Sequence, residues 1–190
     1  MKKDKIVLYI KKNLVASASE LQKISKNRML LVRLEERGEI QRLGIGFYSL
    51  PSLDIFTGLL IVVAKYYKDA AISGLAAAKV YGLSDENIDC VDVDIPNNKN
   101  IRNSILNVRR ISKKYLIGID KIKISGENVK IYNPERILSD IYRYYSEAIC
   151  YKAIKRYLKK YKPKYDEIAK YDKILKTNVL RIIKQELADE

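Results

Sequence analysis

In the first fifty positions, apolar residues recur three times at helical spacing and then change to the alternation of strands. Ile6, Val7, Ile10 and Leu14 make one stripe behind Asp4, an expected N-cap. In "SASELQKI", Ser17 and Glu20 have capping-box spacing, so each side chain can satisfy a backbone N–H of the first turn, with Leu21 and Ile24 facing inward. After a break at "SK", Asn27 is placed to cap a third helix, "RMLLVRLEERG", with Leu31 and Leu34 on its inner face and Gly38 at its end. Ile40 to Leu43 read as a strand. Gly44-Ile45-Gly46 supply the positive φ angles of a tight tip, "FYSL" returns with Phe47 and Tyr48 on opposite faces, and Pro51 ends the pairing.

The remaining pattern is mixed. "SLDIFTGLLIVVAKYY" is apolar on most sides and predicts a buried helix after Asp54. "AAISGLAAAKVYGL" predicts a small-residue helix closed by Gly82, with Gly74 inside it. "IDCVDVDIP", "SILNVRRIS", "IDKIKIS" and "NVKIYN" read as strands, with a turn at Gly126-Glu127. Asn133 as N-cap and Pro134 at the first helical position open a helix carrying Ile137, Leu138, Ile141, Tyr142 and Tyr145. The next helix, 146–162, sets Lys152, Lys155, Arg156, Lys159 and Lys160 on one stripe, opposite Ile149, Ala153, Ile154, Tyr157, Leu158 and Tyr161. Two closing helices, "YDEIAKY" and "KILKTNVLRIIKQEL", follow Pro163. The expected fold is α+β: an N-terminal winged helix-turn-helix over 1–52, then a mixed α/β domain over 53–190 ending in a helical segment.

Composition narrows the chemistry. The 190 residues carry a net charge of +14, which points to a polyanionic partner. A Lys- and Tyr-rich composition could inflate that total, but the charge is segregated. Basic against acidic residues number 11 against 5 in 1–52, 4 against 7 in 53–100, 8 against 2 in 101–133, 8 against 3 in 134–162 and 6 against 6 in 163–190. The longest apolar run, Gly58 to Ala64, is too short to span a membrane. Lys11 and Lys12 interrupt the N-terminal apolar stretch, unlike a signal peptide, so a cytoplasmic location is expected. Cys90 and Cys150 are too far apart for a CxxC pair, and no histidine is present, which removes His-based triads and His-ligated zinc. Neither a cofactor nor a metal is expected.

A third helix followed by a glycine-tipped hairpin suits duplex DNA. Its leading end would enter the major groove, with Asn27 and Arg28 as candidate base readers and Lys26, Arg33 and Arg42 as candidate phosphate contacts. Asn27 also has a cap to make. The competing reading is a helical domain used for protein contacts. The Lys/Arg stripe at 152–160 is equally open, as a solvated helix face, a second phosphate-contacting surface or a site for an acidic protein.

Several stretches, in order, resemble the AbiEi antitoxins of type IV toxin–antitoxin systems. They are "LEERGEIQRLGIGFYSLP", "AAISGLAAAKVYGLSD", "VDVDIP", "VKIYNPERILSDIYRYY" and "YDEIAKYDKILKTNVLRIIKQEL". The resemblance implies a winged helix joined to an α/β antitoxin domain. It implies binding to inverted repeats in the protein's own promoter, with repression of the operon, and neutralisation of a cognate nucleotidyltransferase-like toxin in abortive phage defence. A monomer or weak dimer, paired on DNA, would serve. The chain looks short for that family, and whether it lacks an accessory C-terminal segment is open.

An enzyme reading competes through "VDVDIP". Asp92 and Asp94 share one face of a strand, as in nucleotidyltransferases that hold Mg²⁺ against a triphosphate. Such enzymes place a Gly-Ser or Gly-Gly turn just before the acids, whereas Gly74 reads as part of a helix; among the neighbouring strands only Asp120, at the start of "IDKIKIS", offers a third acid. The favoured expectation for Asp92 and Asp94 is a solvent-facing acidic strand edge, with electrostatic contact to a basic partner as a further possibility.

Overall fold

The computed structural model describes residues 2–188 and has an α+β fold with two sheets. Contacts group the described chain into two units. The first takes in residues up to Lys68 together with Arg102–Leu106 and Lys123–Val129; the second takes in Asp69–Ile101, Asn107–Ile122 and the residues from Lys130 on. The first unit therefore runs past 52 and recruits two downstream segments.

Its chain order is α1 (Lys2–Asn13), β1 (Val15–Ser17), α2 (Ala18–Ile24), α3 (Arg28–Glu36), β2 (Gln41–Gly44), β3 (Phe47–Ser49) and α4 (Ile55–Tyr66). Ile6 and Ile10 are buried as the stripe requires. Asp4 lies within the first turn of α1 instead of preceding it, and Leu14 is not part of the stripe: at φ 64° it is the left-handed residue that turns α1 into β1. The Ser17–Glu20 capping box forms in full, and Glu20 also accepts hydrogen bonds from Tyr66 and Tyr9, tying α4 and α1 to the start of α2. β1 pairs antiparallel with β3, which pairs antiparallel with β2, giving the order β1-β3-β2. Ile6, Ile10, Ala16, Leu21, Leu31, Leu34, Ile40 and Tyr48 form the core beneath this sheet and α1–α3.

The hairpin tip turns at Ile45-Gly46, and the register shifts between Arg42 and Gly44. Gly44, at φ 137°, is required twice over. A Cβ there would lie 1.8 Å from Ile105 Cγ2, so the downstream segment 102–106 packs directly on the hairpin.

The second unit contains β4 (Ala71–Ile72), α5 (Gly74–Val80), β5 (Val91–Pro96), β6 (Leu106–Ile111), a 3-10 turn at Lys113–Tyr115, β7 (Ile119–Ile124), β8 (Glu127–Tyr132), α6 (Pro134–Tyr144), α7 (Glu147–Lys160), α8 (Tyr165–Leu175) and α9 (Val179–Ala188); the ends of β6, β7 and β8 nearest the first unit's segments are shared with it. The strand order is β6-β5-β4-β8-β7, with β4 antiparallel to β5 and parallel to β8. Two expectations shift. The helix expected over 70–83 begins only at Gly74, because Ala71 and Ile72 form the central strand of the sheet. The β7–β8 turn is Ser125-Gly126, both at positive φ, one residue earlier than expected. Asn133 and Pro134 open α6 as their chemistry dictates, and the last two helices divide at left-handed Lys176. No helix among the described residues is long and apolar enough to cross a membrane.

Candidate nucleic-acid interface

Leu31 and Leu34 hold α3 against the core, and this decides what faces outward. At 100° per residue the opposite face carries Met29, Val32, Arg33 and Glu36, with Arg28 on its flank in the first turn. Lys26, Asn27, Arg28, Met29 and Arg33 are all exposed, so the leading end of α3 stands in solvent. Met29, which sequence reasoning passed over, is 56% exposed on this face, an unusual place for a large apolar side chain between cations. Its signal was available: it falls opposite Leu31 and Leu34 on the wheel.

Asn27 is committed to the fold. Its side-chain oxygen accepts the Met29 N–H at 3.0 Å. A bidentate match to adenine uses that oxygen as well as the amide donors, so the cap takes one of its two lone pairs and fixes the orientation in which the side chain can meet a base. Arg42 is committed as well. Its guanidinium donates to Glu35 Oε2 from Nε at 3.2 Å and from Nη2 at 3.0 Å, and lies 5.5 Å from the Tyr48 ring centre. It clasps the hairpin base to the last turn of α3. The side chains of Lys26, Arg28 and Arg33 have no ion-pair or hydrogen-bond partner among the described residues, and they are the uncommitted cations of this surface.

On α7, Lys152, Lys155, Lys159 and Lys160 are exposed and Arg156 is half-buried, but three of the five have acceptors. Lys155 pairs with Glu186 at 3.4 Å, Arg156 with Asp85 at 2.6 Å, and Lys160 donates to the Tyr81 carbonyl at 2.7 Å. The stripe is a continuous face whose charge is partly answered within its own unit.

Asp92 and Asp94 are not a solvent-facing edge. Their exposures are 7% and 1%, because the face of β5 they share is covered. Asp92 Oδ1 accepts from Asn107 at 2.8 Å; Oδ2 accepts the Leu75 N–H at 3.0 Å and the Tyr145 hydroxyl at 2.9 Å. Asp94 Oδ1 accepts from Arg109 Nε at 2.7 Å and Ser73 at 2.9 Å; Oδ2 accepts from Tyr132 at 3.0 Å. Arg109 also reaches Asp140, which pairs with Arg136 one turn earlier on α6. Burial alone would lower the Arg109 guanidinium, but Asp140 and Asp94 outweigh it and hold the group above its ordinary value. Burial, reinforced by the neighbouring Asp92, pushes the Tyr145 hydroxyl up. Gly74 belongs to the helix, but at its very start. It sits at φ 52° as the first residue of α5, directly after Ser73, so a Ser-Gly turn does face β5. The space over that turn is filled by the Tyr145 hydroxyl and the Asp92 carboxylate, 2.6 and 2.8 Å from where a Gly74 Cβ would lie. All four oxygens of the two acids are thus engaged by protein donors, and among the described residues no three His, Cys, Asp or Glu side chains group as a metal site.

Compared with protein-family models the chain matches none, and no curated protein matches it.

Proposed function

We propose that the chain is a DNA-binding antitoxin: its first unit is a winged helix-turn-helix that binds inverted repeats upstream of its own reading frame and represses transcription there. One observation carries the DNA reading: Lys26 and Arg28 at the leading end of α3 and Arg33 in its last turn are exposed and unpaired, with the hairpin following directly behind. α2, the short break at Ser25–Asn27 and α3 supply the two helices; β2 and β3 supply the wing. Arg28 is the candidate reader of guanine, Met29 the candidate contact for a thymine methyl, and Lys26 and Arg33 contact phosphates. The antitoxin part rests on the ordered resemblance of several stretches across nearly the whole chain. In it the second unit neutralises a cognate nucleotidyltransferase-like toxin in the cytoplasm, and Asp92 and Asp94 serve its fold.

Fluorescence anisotropy with the upstream duplex, titrated over salt, tests this. Arg33→Ala weakens binding to every sequence alike and reduces the salt slope by about 0.9. Arg28→Ala costs about 1–3 kcal/mol, concentrated at particular base pairs. Affinity unchanged in both variants rules out a groove-bound α3.

A further inference from the structure

A cation near the tip of a wing can contact a phosphate, and the tip of this hairpin carries none. The tip residues Gly44, Ile45 and Gly46 are uncharged, and Arg42 at its base is held by Glu35. Ile45 is 71% exposed. Beside it a surface depression is lined by Ile45, Arg102, Asn103 and Ser104, all within the first unit. The loop that brings Arg102 there is well anchored. Ile105 packs on Gly44; Asn103 accepts the Ile105 N–H at 3.1 Å and donates to the Tyr67 hydroxyl at 2.8 Å. The Tyr67 ring in turn lies edge-on to Phe47 of β3, 6.3 Å between centres. Arg102 itself is exposed and has no partner among the described residues.

We propose that residues 102–104 are a second DNA-contacting element beside the hairpin tip, with Arg102 contacting the sugar–phosphate backbone of a duplex engaged by α3. This rests on the DNA reading above. The loop supplies from downstream the charge that the wing has committed to Glu35, and the anchored Asn103 next to Arg102 limits the freedom lost when the contact forms.

The test uses the full chain, a duplex of the DNA upstream of its reading frame and a scrambled duplex of equal length. Arg102→Ala weakens both duplexes alike and shallows the slope of log K against log salt by about 0.9, the value for one phosphate contact. Arg102→Lys keeps the wild-type slope, and Arg42→Ala shifts it by less than Arg102→Ala does. A wild-type slope in Arg102→Ala beside a shallower one in Arg33→Ala overturns the loop contact and leaves the DNA reading standing. Loss on one duplex only overturns a backbone contact. No change in either Arg102→Ala or Arg33→Ala overturns the DNA reading and this inference with it.

Discussion

The acids of β5 illustrate how one side chain can carry two opposite meanings. A carboxylate in water is a ready ligand for a cation. Asp94, enclosed by Arg109, Ser73 and Tyr132, is instead the acceptor around which three other elements are oriented. Asp94→Ala leaves the half-buried Arg109 with a single carboxylate partner and the buried Tyr132 without an acceptor. It lowers unfolding stability by about 3–5 kcal/mol, read from urea denaturation as a lower midpoint at an unchanged slope. A loss below about 1 kcal/mol would show that water replaces the aspartate at little cost. Strand alternation placed Asp92 and Asp94 on one face from sequence, but it could not say that the face is covered. The partners lie far along the chain, Asn107 and Arg109 downstream and Tyr132 and Tyr145 further still, and no local period connects them. Arg42 shows the same limit in miniature: its position on the hairpin was legible, the Glu35 clasp across the turn was not.

Elements were legible where their ends are chemically marked. Ser17 with Glu20, Asn27, Asp54 and Asn133 with Pro134 each cap the helix their spacing announces, because a cap is a local hydrogen bond. β1 and β4 were missed. They are three and two residues long, too short to alternate, and they exist because β3 and β5 offer an edge to pair with. The tip glycines were read as turn residues, which holds for Gly46; Gly44 is also a packing residue. Gly44→Ala meets both a strained φ and the Ile105 side chain, and lowers stability by about 1–3 kcal/mol in thermal or denaturant unfolding. Ile105→Ala alone costs about 2–4 kcal/mol for its buried side chain. Combined, the two cost less than their separate losses added, because the second removes the clash created by the first. Strict additivity would mean that the segment around Ile105 does not rest on the hairpin.

At the scale of the molecule, the charge segregation visible in sequence maps onto surfaces of different kinds. The cations of α3 stand free, and those of α7 are partly answered by Glu186 and Asp85. A boundary near 52 was the natural reading, since Pro51 closes the hairpin pattern and a buried helix starts again at Asp54. The first unit instead holds α4, and it also holds Asn103, Ile105 and Glu127, which bond or pack against Tyr67, Gly44 and Lys65. A fragment ending at Lys68 lacks all three. In hydrogen exchange its Phe47–Ser49 amides exchange roughly tenfold or more faster than in the intact chain. Equal protection would mean that the downstream segments add nothing to the hairpin.

That discontinuity bears on how the protein is made. Translation releases the chain from its N-terminus, and domains commonly fold as they emerge. Here the first unit draws on residues as late as Val129, so a nascent chain paused before that point carries α3 without the full support of the hairpin behind it. The core under α3 is drawn from residues before 51, whereas the last residues grouped with the first unit arrive only after the ribosome has delivered most of the second sheet.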